Sequence, residues 1–138
     1  MRLKSKISDC KTINLSKIGD RSGNLTIVSS GIDIPFQIKR IYYLYDIPSG
    51  ETRGGHSHKN LYQLIIAASG SFDILLDDGR EKIKINLNRP NVGILIVPGI
   101  WRELSNFSSG ATCLVLASLT YFEEDYIRDY FVFKNSKE

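Results

Sequence analysis

A chain of 138 residues with 42% hydrophobic and 24% charged side chains is long enough to bury a real core and ordinary enough in composition to be one globular domain, residues 1–138. Its net charge of +3 comes from scattered lysines and arginines, which excludes a nucleic-acid-binding face while suiting a small anionic substrate. No apolar run reaches the length of a membrane span, and Met1 to Asp9 lack the apolar stretch of a signal peptide, so the expected location is the cytoplasm, with no membrane partner.

In chain order, residues 1–20 form an N-terminal arm in which Lys11 to Ile18 is a weak first strand. Asp20 to Asn24 is a turn, Leu25 to Ser29 a second strand, and Gly31 to Pro35 a break. Phe36 to Tyr45 has the aromatic and β-branched content of a strand, and Pro48-Ser49-Gly50 turns the chain into a stretch that begins at Arg53. Leu61 to Ala68 is continuously apolar, as expected of a central strand buried on both faces. Phe72 to Leu76 and the strictly alternating Lys82 to Leu87 flank Asp77-Asp78-Gly79-Arg80, a strong hairpin signal. Gly93 to Val97, Trp101 to Phe107 and Ala111 to Ala117 complete the strands. In the tail, Phe122 to Phe133 predicts a short helix whose first turn carries Glu123, Glu124 and Asp125, complementing the positive helix end. Tyr126, Ile127 and Tyr130 would dock it, and Lys134 to Glu138 would fray. Many short strands separated by turns, with one helical turn, predict an all-β sandwich or small barrel, and a double-sheet jelly roll limits exposed edges best.

Cys10 and Cys113 lie far apart and make no C-x-x-C pair; Cys113, in an apolar run, reads as a small buried hydrophobe. The chemistry concentrates in Arg53-Gly54-Gly55-His56-Ser57-His58. This stretch holds both histidines of the chain. Residues i and i+2 of a strand share a face, so the imidazoles stand side by side, able to bind a metal or to move protons. A strand histidine is more often a satisfied polar residue, but two together beside an arginine favour function.

The surrounding frame resembles the cupin superfamily. His56-x-His58 is followed after four residues by Gln63 and after six more by Gly70; Gly93, Pro98, Gly99, Arg102 and Asn106 fill a frame similar to the second cupin motif, one residue short. Metal-binding cupins have a glutamate where this chain has Gln63 and a histidine where it has Arg102. A guanidinium repels a cation and an amide is a weak ligand, so no metal is expected.

A narrower resemblance rests on Ile32 to Phe36, Lys39 to Tyr43, Arg53-Gly54-x-His56-x-His58-Lys59, Pro98-x-x-Trp101, Val115 to Ser118 and Asp125-Tyr126-Ile127-Arg128-x-Tyr130. These resemble the bacterial dTDP-4-keto-6-deoxyglucose 3,4-ketoisomerases, the WxcM-like sugar-nucleotide isomerases, over about residues 25 to 133. The resemblance implies a cupin-type jelly roll and a homodimer that exchanges N-terminal strands. It implies no cofactor, a dTDP-linked keto-deoxysugar as substrate, and a step toward amino-dideoxyhexoses of surface polysaccharide. Moving a ketone from C4 to C3 needs proton transfer through an enediolate, which suits imidazoles and a nearby cation. On this reading His56 is the base, His58 orients or relays, and Tyr42 serves the C4 side. Arg53 meets the diphosphate or the enediolate, Lys59 also binds substrate, and Gln63 and Trp101 shape the pocket. Arg102 and Arg21 tune the face protonated at C4. The competing readings are a non-catalytic sugar-nucleotide-binding cupin, a metal-dependent cupin and a dTDP-sugar epimerase, whose motifs are not found here.

Overall fold

The computed structural model describes residues 4–138. The strands are β1 (Lys11–Asn14), β2 (Ile18–Asp20), β3 (Gly23–Leu25), β4 (Arg40–Leu44), β5 (Arg53–His58), β6 (Gln63–Ser69), β7 (Phe72–Asp77), β8 (Lys82–Leu87), β9 (Val92–Ile96), β10 (Trp101–Ser105), β11 (Thr112–Ala117) and β12 (Tyr126–Ile127). One α-helix among the described residues, α1 (Tyr130–Ser136), follows. Two five-stranded sheets, ordered β1-β9-β6-β11-β4 and β12-β5-β10-β7-β8, form the expected jelly roll. Every strand pairing is antiparallel.

The alternation of side chains explains the layering. In β6, Ile65 and Ala67 enter the core between the sheets with Ile74, Ile94, Ile96 and Val115. Leu64 and Ile66 point the other way and are covered by Leu15, Ile34 and Phe36. The apolar run that begins at Leu61 is thus buried on both faces, as its sequence predicts. Lys82 to Leu87, at a sheet edge, is largely exposed. The Asp77–Arg80 hairpin closes through Gly79 N–H on Asp77 Oδ1 (2.7 Å) and Arg80 N–H on Asp78 Oδ1 (2.9 Å). Cys113 is fully buried and its thiol is pushed up to about 12 by burial.

Five expectations change. Regular strand covers only Arg40–Leu44 of the Phe36 to Tyr45 run, and Leu25 ends β3 rather than opening a strand to Ser29. In the arm, whose first three residues lie outside the described ones, the expected Lys11 to Ile18 strand ends at Asn14, and this β1 pairs with β9. The tail helix starts later, because Asp125 is drawn into the interior and Tyr126–Ile127 pair with β5. Asp129 caps α1, accepting from the N–H groups of Phe131 and Val132 (2.8 and 3.1 Å). Lys137 is anchored rather than frayed, donating to the carbonyls of Ser5 and Gly99 (each 2.8 Å).

Candidate active site

A cavity of about 200 Å³ opens between the sheets at one end of the roll. Tyr42 and Gln63 reach it from one sheet, and Arg53, His56 and Arg102 from the other.

The Gly54-Gly55 pair decides what Arg53 does. Strict alternation would put Arg53 and His56 on opposite faces of β5. Instead Arg102 pairs with His56 and Leu104 with Arg53, so three steps on β5 match two on β10. That is a β-bulge, and it returns Arg53 to the cavity face. Gly54 takes φ +77° there, a region that disfavours side chains. Gly99 (φ +85°) closes the other end of the site by donating its N–H to the His58 carbonyl (2.8 Å).

The two imidazoles lie edge to face, with their Nε2 atoms 3.1 Å apart. His56 lines the cavity, and His58 is fully buried behind it. The Nδ1 of His58 lies 2.9 Å from Asp125 Oδ2. The Tyr126 ring covers both imidazoles at 5.1 and 4.4 Å between centroids. Burial, then the Arg102 guanidinium, lowers His56 to about 3. The same causes lower His58, although its Nδ1 faces the Asp125 carboxylate. Both rings are therefore neutral at pH 7.

Across the cavity runs a second chain of hydrogen bonds with a fixed direction. Arg102 can only donate, and its Nη1 donates to Gln63 Oε1. That orients the amide, whose Nε2 donates to the Tyr42 hydroxyl oxygen (3.1 Å). The Tyr42 proton is left free for the cavity. Burial raises the Tyr42 pKa, so the phenol stays protonated at neutral pH. Arg102 is 1% exposed, and its Nη2 and Nε donate to the Ile100 carbonyl (2.9 and 3.3 Å). Burial lowers it to about 10, which leaves it charged at pH 7. A cation site is disfavoured by this donor set: the Nε2 atoms face each other, and a guanidinium and an amide occupy the other positions.

Three expected site residues lie elsewhere. Trp101 precedes Arg102 on β10 and so faces away from the cavity, packing on Tyr130 and Phe133 (5.3 and 5.7 Å) and donating to Glu103 (2.8 Å). The Lys59 side chain is exposed, and the residue contributes its backbone N–H to the Asp125 carbonyl (2.9 Å). Arg21 is exposed at the turn between β2 and β3. Conversely, Tyr126 and Arg128 line the cavity, with the Arg128 guanidinium 4.2 Å from the Tyr126 ring centroid and bonded to Glu123 (2.8 Å). Both fall in the tail motif, the only signal that marked them.

Residues 8–138 match the family model described as FdtA: WxcM-like, C-terminal. The chain belongs to that family. A TDP-4-oxo-6-deoxy-alpha-D-glucose-3,4-oxoisomerase of Aneurinibacillus thermoaerophilus is 44% identical over 124 residues, 90% of this chain and 89% of its own. Among solved structures, the sugar 3,4-ketoisomerase QdtA of Thermoanaerobacterium thermosaccharolyticum, in complex with TDP, is 42% identical with a TM-score of 0.93, covering 96% of each chain. A 3,4-ketoisomerase from Helicobacter canadensis is 48% identical with a TM-score of 0.90, covering 92% of this chain and 96% of its own. This WxcM-like chain is accordingly an isomerase, of the 3,4-ketoisomerase class. Among its described residues no helix is long and apolar enough to cross a membrane.

Proposed function

We propose that this isomerase converts TDP-4-keto-6-deoxyglucose to a TDP-3-keto-6-deoxyhexose, the sugar that a transaminating step would consume on the way to amino-dideoxyhexoses of surface polysaccharide. The observation that carries the reading is the pairing of two neutral, hydrogen-bonded imidazoles with an oppositely directed donor chain, Arg102–Gln63–Tyr42, around one cavity. His56 removes the C3 proton. Negative charge then develops on the C4 oxygen, where the Tyr42 O–H donates and the buried Arg102 charge stabilises the enediolate. Return of a proton to C4, with transfer of the C3 hydroxyl proton to the C4 oxygen, leaves a ketone at C3 and a hydroxyl at C4, and nothing is oxidised or reduced overall. Arg53, which lines the same cavity, would hold the diphosphate. Support for the substrate comes from the QdtA relative, a variant of which was solved in complex with TDP-4-keto-6-deoxyglucose.

The test is proton NMR of TDP-4-keto-6-deoxyglucose incubated with chelator-treated enzyme. The expected result is appearance of the 3-keto sugar at an unchanged rate after EDTA. Binding without turnover, solvent exchange at C3 and C5 without ketone migration, or activity restored only by added metal would each defeat the reading.

The assembly we propose is a homodimer exchanging the β2–β3 hairpin. Among the described residues that hairpin pairs only with itself, exposing Ile18 (57%) and Leu25 (55%). On a second copy, edge strand β4 presents exposed Ile41 and Tyr43 to receive it. Exchange would carry Arg21 toward the partner, to act with Arg102 in choosing the face protonated at C4. Ile18→Asp/Leu25→Asp is expected to convert dimer to monomer in light scattering; an unchanged mass would remove the hairpin from the interface.

A further inference from the structure

Asp125 lies outside the cavity and is 3% exposed. Its Oδ1 accepts the Asn60 N–H (2.7 Å), and its own carbonyl accepts the Lys59 N–H (2.9 Å), so two backbone bonds from the end of β5 clamp it in place. Its Oδ2 meets His58 Nδ1 at 2.9 Å. A carboxylate accepts, so a neutral His58 must carry its proton on Nδ1. The Nε2 of His58 is then a bare lone pair, and the only group it meets among the described residues is His56 Nε2 at 3.1 Å. A hydrogen bond between two imidazole nitrogens needs one proton, so His56 must carry its own on Nε2. Its Nδ1 is left unprotonated, with no hydrogen bond to any described residue.

We infer that Asp125 is the positioning residue of the site, fixing the tautomers of both histidines through His58 so that a basic nitrogen of His56 is available for the C3 proton. The inference rests on the proposed isomerisation. When His56 takes a proton on Nδ1, it can pass its Nε2 proton to His58, and the positive charge moves to the ring beside the Asp125 carboxylate. The reverse transfer restores His56 as the acid that returns a proton to the sugar. No atom is gained or lost across the cycle, and the buried carboxylate does not itself need to be protonated, as in other Asp–His arrangements. An amide at position 125 would be free to turn its N–H₂ toward His58 Nδ1. That would force the His58 proton onto Nε2, where it opposes the His56 proton.

The chain's two histidines make this directly observable. In tag-free protein labelled with ¹⁵N-histidine, two-bond ¹H–¹⁵N spectra at pH 7.5 should show one ring in the Nδ1–H form and the other in the Nε2–H form. Two Nε2–H rings, or a ring exchanging between forms, would overturn the inference whether or not any variant folds. Asp125→Asn should move the His58 pattern and lower kcat ~10²–10⁴-fold, with KM changed less than about threefold. Asp125→Glu should recover at least tenfold of that loss. A kcat loss with an unchanged spectrum, or one that glutamate does not relieve, also overturns it. The expected wild-type spectrum in a protein that does not turn over the 4-keto sugar would leave the tautomer assignment standing and defeat the proposed reaction instead.

Discussion

His56→Asn should lower kcat for TDP-4-keto-6-deoxyglucose by roughly 10²–10⁴-fold, with far-UV circular dichroism and melting temperature unchanged or improved. Asparagine keeps a polar group on the cavity face of β5 but accepts no proton near neutrality. The wild-type pH profile tests the same residue from the other side. Because His56 titrates at about 3, kcat/KM should show no limb near the ordinary histidine value of ~6.5. Acid loss should instead follow unfolding. Both histidines have folded pKa values depressed below their unfolded ones, so the unfolded state binds more protons below pH 6.5. Stability is therefore full above that pH and falls as pH drops, by up to about 1.4 kcal/mol per unit for each ring. Two units below, the pair removes roughly 5 kcal/mol, which is comparable to the whole stability of a marginal domain. Activity and tryptophan fluorescence should fail together near pH 4 to 5. An activity limb at 6.5 with the fold intact, or near-normal turnover by His56→Asn, would take the base role away from His56.

Much of the roll was legible because its signals are local. The alternation of Lys82 to Leu87, the Asp-Asp-Gly turn before it and the apolar run ending at Ala68 each depend on neighbours in sequence, and each folds as its pattern implies. In the candidate site, spacing alone places His56 and His58 together, while Gln63 and Arg102 were marked by the cupin-like frame and Tyr42 and Arg53 by the narrower resemblance. The departures share one cause, a partner distant in sequence that outweighs a local preference. Glu123-Glu124-Asp125 does form a single 3-10 turn, but the Asp125 carboxylate is taken by His58 and Asn60, 67 and 65 residues away in sequence, and the chain runs on as a strand rather than continuing the helix. Trp101 sits in the expected motif, but one step along β10 turns it to Tyr130 and Phe133. Arg53 reaches the cavity only because the glycine pair absorbs an extra residue, which no count of alternation reveals.

The second large effect is expected at Arg102, where activity and stability should part. Arg102→Met should lower kcat by at least ~10²-fold while leaving the melting temperature unchanged or higher. The buried guanidinium has no carboxylate within ion-pair distance among the described residues; it is held by Gln63 and the Ile100 carbonyl. Burying a charge with only neutral partners costs several kcal/mol, so removing it relieves that cost. Leaving the Gln63 carbonyl unsatisfied opposes the gain by about 1–3 kcal/mol, and the net effect on folding is small. On the proposed mechanism catalysis has no such offset, because Arg102 orients the donor chain to Tyr42 and would supply the positive charge facing the enediolate. The same charge is the second-largest cause holding the histidines neutral, after burial. In Arg102→Met the ¹⁵N signals of His56 should therefore begin to titrate at higher pH than in the wild type. A variant that unfolds, or one that keeps turnover within a few-fold of normal, would mean that this cation serves the fold rather than the reaction.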